Sequence, residues 1–161
     1  MTFTTAELCD THSEESHFQI ADPMFKSYGA KKSFCGQITT VKVFEDNVLV
    51  RAVLEEKVTN RVLVIDGGGS HRCALLGSNL AQLAIDNGWQ GIIVYGCIRD
   101  SAIVDQLPIG ICALHTHPLK SHKKDRGDRD LVVSFAAVNF KKDHYIYVDS
   151  DGIIVSETML S

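Results

Sequence analysis

RVLVIDGGGSHRCALLGSNLAQLAIDNGWQGIIVYGCIRD, running from Arg61 to Asp100, decides the fold of this chain. Arg61 to Ile65 is a short apolar, β-branched run, which reads as a buried strand, and Asp66-Gly67-Gly68-Gly69 breaks it. A helix is expected from about Asn79 to Asn87, with Ser78 as its N-cap and Gly88 as its stop. Gly91 to Tyr95 is a second buried strand. Strand, helix, strand in this order implies a parallel pair joined by a crossover, the unit of an α/β fold. Ligands in such folds bind beyond the carboxyl ends of the strands. The stretch ends there on Arg99 and Asp100, a cation beside a hard oxygen ligand.

Outward from this unit the pattern continues. Upstream, Phe34 to Phe44 alternates and reads as a strand, and Glu45, Asp46 and Asn47 cap a helix expected to reach about Lys57. Before them lie a short helix capped by Thr4 or Thr5, a polar loop at SEESHF, and an irregular connector at ADPMFKSYG. Downstream, Ser101 to Gln106 is a short helix and Gly110 to His115 a short strand. HTHPLKSHKKDRGDRD is a charged loop. Leu131 to Phe140, His144 to Val148 and Gly152 to Val155 read as three strands, the last two joined by a turn at Asp149 to Gly152. The expectation is one α/β domain over residues 1–161, with a mixed sheet or small barrel flanked by helices.

Composition narrows the function. The chain has 161 residues, a net charge of -4 and a pI of about 5.9, which give no electrostatic footprint for nucleic acid or an anionic membrane. Apolar runs stop well short of the ~18 residues that a membrane span requires. Met1 to Asp10 has neither a basic nor an apolar leader segment, so a cytoplasmic protein is expected. The five cysteines, Cys9, Cys35, Cys73, Cys97 and Cys112, form no CxxC and read as reduced thiols.

Few residue patterns carry chemistry. The Asp66 to Gly69 turn is followed by no Walker lysine and no dinucleotide fingerprint, so it is either a packing turn or a place of close ligand approach. Gly77, Ser78, Asn79 and Leu80 open a helix whose free amides suit a carboxylate or phosphate. Arg99 can fork onto a carboxylate, and Asp100 can hold a divalent cation. His115 and His117, with His122 and Asp125 beyond, have the spacing of a transition-metal pair but sit in a lysine-rich loop. His71 lies near the glycine turn. The lysine pairs at 31–32, 123–124 and 141–142 read as solvated surface.

TAELCD, DPMFKSYG, SFCGQITTVKVFEDN, RVLVIDGGGSHRCALLG, NGWQGIIVYGCIRD, the SHKKDRGD region and DSDGIIVS together resemble the RraA-like family almost end to end. That family comprises the regulators of ribonuclease E activity and the 4-hydroxy-4-methyl-2-oxoglutarate aldolases. The resemblance implies a swivelling-domain-like α/β fold assembled as a homotrimeric ring. It implies a lyase that releases pyruvate from a 2-keto acid by retro-aldol cleavage, with oxaloacetate decarboxylation as a side activity. It further implies Mg²⁺ or Mn²⁺ on Asp100, substrate on Arg99, and the substrate carboxylate at Gly77, Ser78, Asn79 and Leu80.

The chain departs from that pattern at Ser78. Active members carry an aspartate there, twenty-one residues before the arginine. Serine is a poor base, and losing a general base costs roughly 10²–10⁴-fold. Ala136-Ala137 and Lys141-Lys142 also replace the family's glycine pair and Pro-Gly turn. The expectation is an impaired lyase; the alternative is a non-catalytic inhibitor of ribonuclease E. Members that regulate the nuclease lack the aspartate that this chain keeps at Asp100.

Overall fold

A computed structural model describes residues 2–161. In chain order its first half comprises α1 (Thr5–His12), β1 (Phe18–Ile20), β2 (Lys26–Tyr28), β3 (Phe34–Lys42), α2 (Val48–Leu54), β4 (Arg61–Asp66), β5 (Ala74–Leu76) and α3 (Ser78–Asp86). The second half comprises β6 (Gly91–Ile98), α4 (Ser101–Val104), β7 (Gly110–Thr116), β8 (Asp128–Arg129), β9 (Val133–Phe135), β10 (Val138–Phe140), β11 (Tyr145–Asp149) and β12 (Gly152–Ser156).

The main sheet runs β1-β12-β11-β3-β4-β6-β7-β2. Its centre, β3-β4-β6-β7, is parallel, and both flanks are antiparallel. β4 and β6, at the middle of the parallel strands, are apolar at consecutive positions because both faces are covered. Leu63 and Ile65 of β4 join Ile92 and Val94 of β6 beneath Val50, Val53 and Leu54 of α2, Leu80, Ala81 and Ala84 of α3, and Val104 of α4. Val62, Val64 and Ile93, one residue out of step, point to the other face. There they meet Phe135 and Phe140 of the β9–β10 hairpin and Ile146 and Val148 of β11.

Several local expectations are corrected. The connector holds an edge strand, β2 on β7, and a second edge strand, β1 on β12, begins at the last residue of the polar loop. α2 ends at Leu54 rather than Lys57. Leu131 to Phe140 is a hairpin, turned by Ala136 and Ala137 at φ 52° and 60°. The helix after β5 starts at Ser78 itself, and its N-cap is Gly77. Ser78 therefore does not cap the helix, and its hydroxyl is engaged elsewhere.

The Asp66 to Gly69 turn closes on itself. Asp66 Oδ1 accepts from the Gly68 amide at 2.9 Å, and the amides of Gly67 and Gly69 both donate to the Tyr95 carbonyl at 3.1 Å. Gly68 and Gly69 stand at φ 68° and 71°, a region that favours glycine. These glycines serve packing between β4 and β6.

Candidate active site at the carboxyl edge of the sheet

β5 and the last residues of β6 run side by side, and the Arg99 amide donates to the Leu76 carbonyl at 2.9 Å. This pairing sets the start of α3 against the end of β6. Asp100, at φ 59°, turns the chain so that its carboxylate faces the first turn of α3. Its Oδ2 accepts from the Ser78 amide and from Ser78 Oγ, each at 3.0 Å. The Ser78 amide, the Ser78 hydroxyl and then the Arg99 charge hold the Asp100 carboxyl below its ordinary pKa. Asp100 is thus an exposed, ionised carboxylate fixed through one oxygen, and Oδ1 has no partner among the described residues.

Gly77 makes this approach possible. A Cβ there would lie 2.8 Å from Asp100 Oδ2 and 3.3 Å from Arg99 Cγ. The amides of Asn79 and Leu80 follow at the helix start and have no acceptor among the described residues.

A cleft of about 130 Å³ opens over this junction. Gly77, Asn79, Leu80, Arg99 and Asp100 line it, so the predicted residues converge, with Ser78 bracing Asp100. The glycine turn and His71 do not line it. Arg51 from α2 and Lys120 and Lys123 from the charged loop do, together with Asn47. The cleft therefore presents four cations and one carboxylate, a field suited to an anion bearing more than one charge.

The segment Glu45-Asp46-Asn47, read from sequence as a helix cap, organises the rim. Glu45 accepts from Ser70 Oγ at 2.6 Å and pairs with Arg72 at 2.7 Å, and its carbonyl accepts from the His122 amide at 2.8 Å. Buried Asp46 accepts from the Val48, Lys124 and Arg126 amides at 3.0, 2.9 and 3.0 Å. Burial pushes its carboxyl up, but those three amides outweigh burial and hold it below the ordinary value. Asn47 Nδ2 donates to the Leu75 carbonyl at 3.1 Å. Nothing in the local sequence separates such ties from ordinary capping, because their partners lie 25 to 80 residues away.

His115 and His117 are each tied to a neighbouring group. His115 Nδ1 lies 3.0 Å from the Lys26 ammonium, whose charge, followed by burial and His71, lowers the His115 pKa. His117 Nδ1 accepts from the Leu119 amide at 3.1 Å. Among the described residues no three His, Cys, Asp or Glu side chains are grouped to hold an ion. All five cysteines are free, and burial pushes the Cys112 thiol up to about 12. No helix among the described residues is long and apolar enough to cross a membrane.

Fold and site together define an α/β protein with a cationic cleft and a single ionised carboxylate at the carboxyl edge of a parallel sheet. The chain belongs to the RraA-like family, whose model, Aldolase/RraA, matches residues 5–155. A protein of Methylococcus capsulatus named "Putative 4-hydroxy-4-methyl-2-oxoglutarate aldolase" is 62% identical over 160 residues, which cover 99% of each chain. One of the same name from Aromatoleum aromaticum is 55% identical over 160 residues, again 99% of each. Two solved structures superpose closely. The RNA-processing inhibitor RraA from Thermus thermophilis has a TM-score of 0.94 at 39% identity, covering all of this chain and 96% of its own. A Geobacillus kaustophilus protein described as an S-adenosylmethionine: 2-dimethylmenaquinone methyltransferase has a TM-score of 0.95 at 47% identity, with coverage of 98% and 97%.

Proposed function

We propose that the chain is a divalent-cation-dependent lyase acting on short, doubly charged 2-keto acids. Its substrates would be 4-hydroxy-4-methyl-2-oxoglutarate, cleaved by retro-aldol reaction to pyruvate, and oxaloacetate, decarboxylated to pyruvate. The observation that carries this reading is the convergence of Arg99, Asp100 and the free amides of α3 on one cationic cleft. The methyltransferase description of one relative fits the cleft less well, because a sulfonium cation would meet four positive side chains.

The donor set fits a hard divalent cation. Asp100 offers one ionised oxygen, and Mg²⁺ binds commonly through one or two carboxylates while keeping several waters. A bound Mg²⁺ or Mn²⁺ would supply Lewis acidity toward the developing enolate oxygen. Arg99 anchors and polarises the keto acid through parallel hydrogen bonds. The Asn79 and Leu80 amides receive its carboxylate at the positive end of α3. Ser78 keeps Asp100 ionised and oriented but offers no base, since its hydroxyl is already donated. Decarboxylation, which removes no hydroxyl proton, is therefore the more robust of the two reactions. As in the family, active sites would form in a homotrimer, measurable by light scattering.

The experiment is pyruvate release by wild type and Arg99→Ala with Mg²⁺ or Mn²⁺. Arg99→Ala abolishes release under this reading, and unchanged turnover in a pure variant overturns it. A second reading, inhibition of ribonuclease E as a protein partner, is favoured by the likeness to the Thermus inhibitor. Pull-down with the nuclease's basic C-terminal region tests it, and no binding near physiological salt counts against it.

A further inference from the structure

Arg99 and the start of α3 account for one carboxylate, yet the cleft carries three more cations, Arg51, Lys120 and Lys123. None of the three has a carboxylate within 4.0 Å among the described residues, whereas Arg61, Arg72 and Arg129 each pair with one. Arg51 differs from the two lysines in its head group and its support. Its backbone is held by its own helix, and its side chain lines the cleft. Asn47 and Arg51 stand one turn apart, linked by the Arg51 amide donating to the Asn47 carbonyl at 3.1 Å. They share a face. Asn47 Nδ2 ties that face to the Leu75 carbonyl, two residues before Gly77. The two lysines sit on the charged loop, while Arg51 projects from a helix whose Val50, Val53 and Leu54 are buried in the core. A guanidinium on a rigid support is the better reader of a planar carboxylate, since it presents parallel donors where an ammonium offers a point charge.

We propose that Arg51 binds the second, distal carboxylate of the substrate and restricts the cleft to 2-keto dicarboxylic acids. This rests on the lyase reading of the same cleft and adds the residue that selects the substrate class. Arg51 is a specificity residue: in 4-hydroxy-4-methyl-2-oxoglutarate the carboxylate it would hold is attached to C4, on the far side of the bond that breaks, and in oxaloacetate it is the carboxylate that leaves as CO₂.

The test is calorimetric binding, in the presence of Mg²⁺, of 2-oxoglutarate and 2-oxopentanoate. These probes share a five-carbon 2-keto acid frame and differ at the far end, carboxylate against methyl. Neither contains the hydroxyl needed for retro-aldol cleavage. Wild type is expected to prefer 2-oxoglutarate. Arg51→Gln should weaken 2-oxoglutarate roughly 10- to 100-fold, the loss of a charge-assisted contact, and leave 2-oxopentanoate within about 2-fold. Arg51→Lys should recover part of the loss. Equal weakening of both probes by Arg51→Gln, or of neither, overturns the assignment and leaves the lyase reading standing. Failure of wild type to bind either probe overturns both.

Discussion

At position 78 a serine amide and hydroxyl both donate to Asp100 Oδ2, where an aspartate would set two carboxylates against each other. Without metal such a pair shares its protons unevenly, whereas a cation on Asp100 would let both ionise and leave the carboxylate at position 78 to serve as the base that serine is not. Ser78→Asp should therefore raise retro-aldol turnover by roughly 10²–10⁴-fold while changing oxaloacetate decarboxylation much less, measured as pyruvate release from each substrate. It should also lower the melting temperature without metal, and Mg²⁺ should restore it by mass action. Gly77→Ala should cost on the order of 10²-fold in turnover, because its Cβ displaces the Asp100 carboxylate. Arg99 and Asp100 were legible in sequence because a continuous apolar strand leads straight to them. Arg51, Asn47 and Lys120 were not, because only the folded sheet brings α2 and the charged loop to that strand's end.

The short segment before α2 lines the cleft with Asn47 alone, yet it positions much of the rest. Asp46 holds the Lys124 and Arg126 amides from a buried position, and so fixes the loop that carries Lys120 and Lys123. Its pKa is depressed in the fold, so its contribution is fully present above the unfolded value of about 3.9 and is lost as pH falls through the lower folded value. An acid titration followed by NMR should show the Lys124 and Arg126 amide resonances moving together in that range, with no such transition in Asp46→Asn. Asp46→Ala should destabilise by about 3 kcal/mol, by chemical denaturation, because three amides lose a charged acceptor. The three-residue strands β1 and β2 escaped the sequence reading for a related reason. They are too short to show a period, and they exist by pairing with β12 and β7, far along the chain.

Across the whole molecule, the parallel core was legible because β4 and β6, at its centre, need apolar side chains on both faces, which leaves the unbroken apolar runs Val62 to Ile65 and Ile92 to Val94. The cover on the second face was not. The β9–β10 hairpin looks like one strand until Ala136 and Ala137 adopt positive φ, a conformation that alanine does not advertise. That hairpin is fastened by aromatic rings. Phe135 stacks on Tyr95 and on Phe140, with centroids 4.7 and 4.5 Å apart. Phe135→Ala should cost about 3–5 kcal/mol of stability in a denaturant titration.

Pyruvate release from oxaloacetate by the wild-type chain, with Mg²⁺ or Mn²⁺ and again after chelation, tests the lyase most directly. Release that stops on chelation and returns when the cation is restored is the expected result. No release with either cation, alongside release by Ser78→Asp, would contradict it and mark the wild-type cleft as a binding site without turnover.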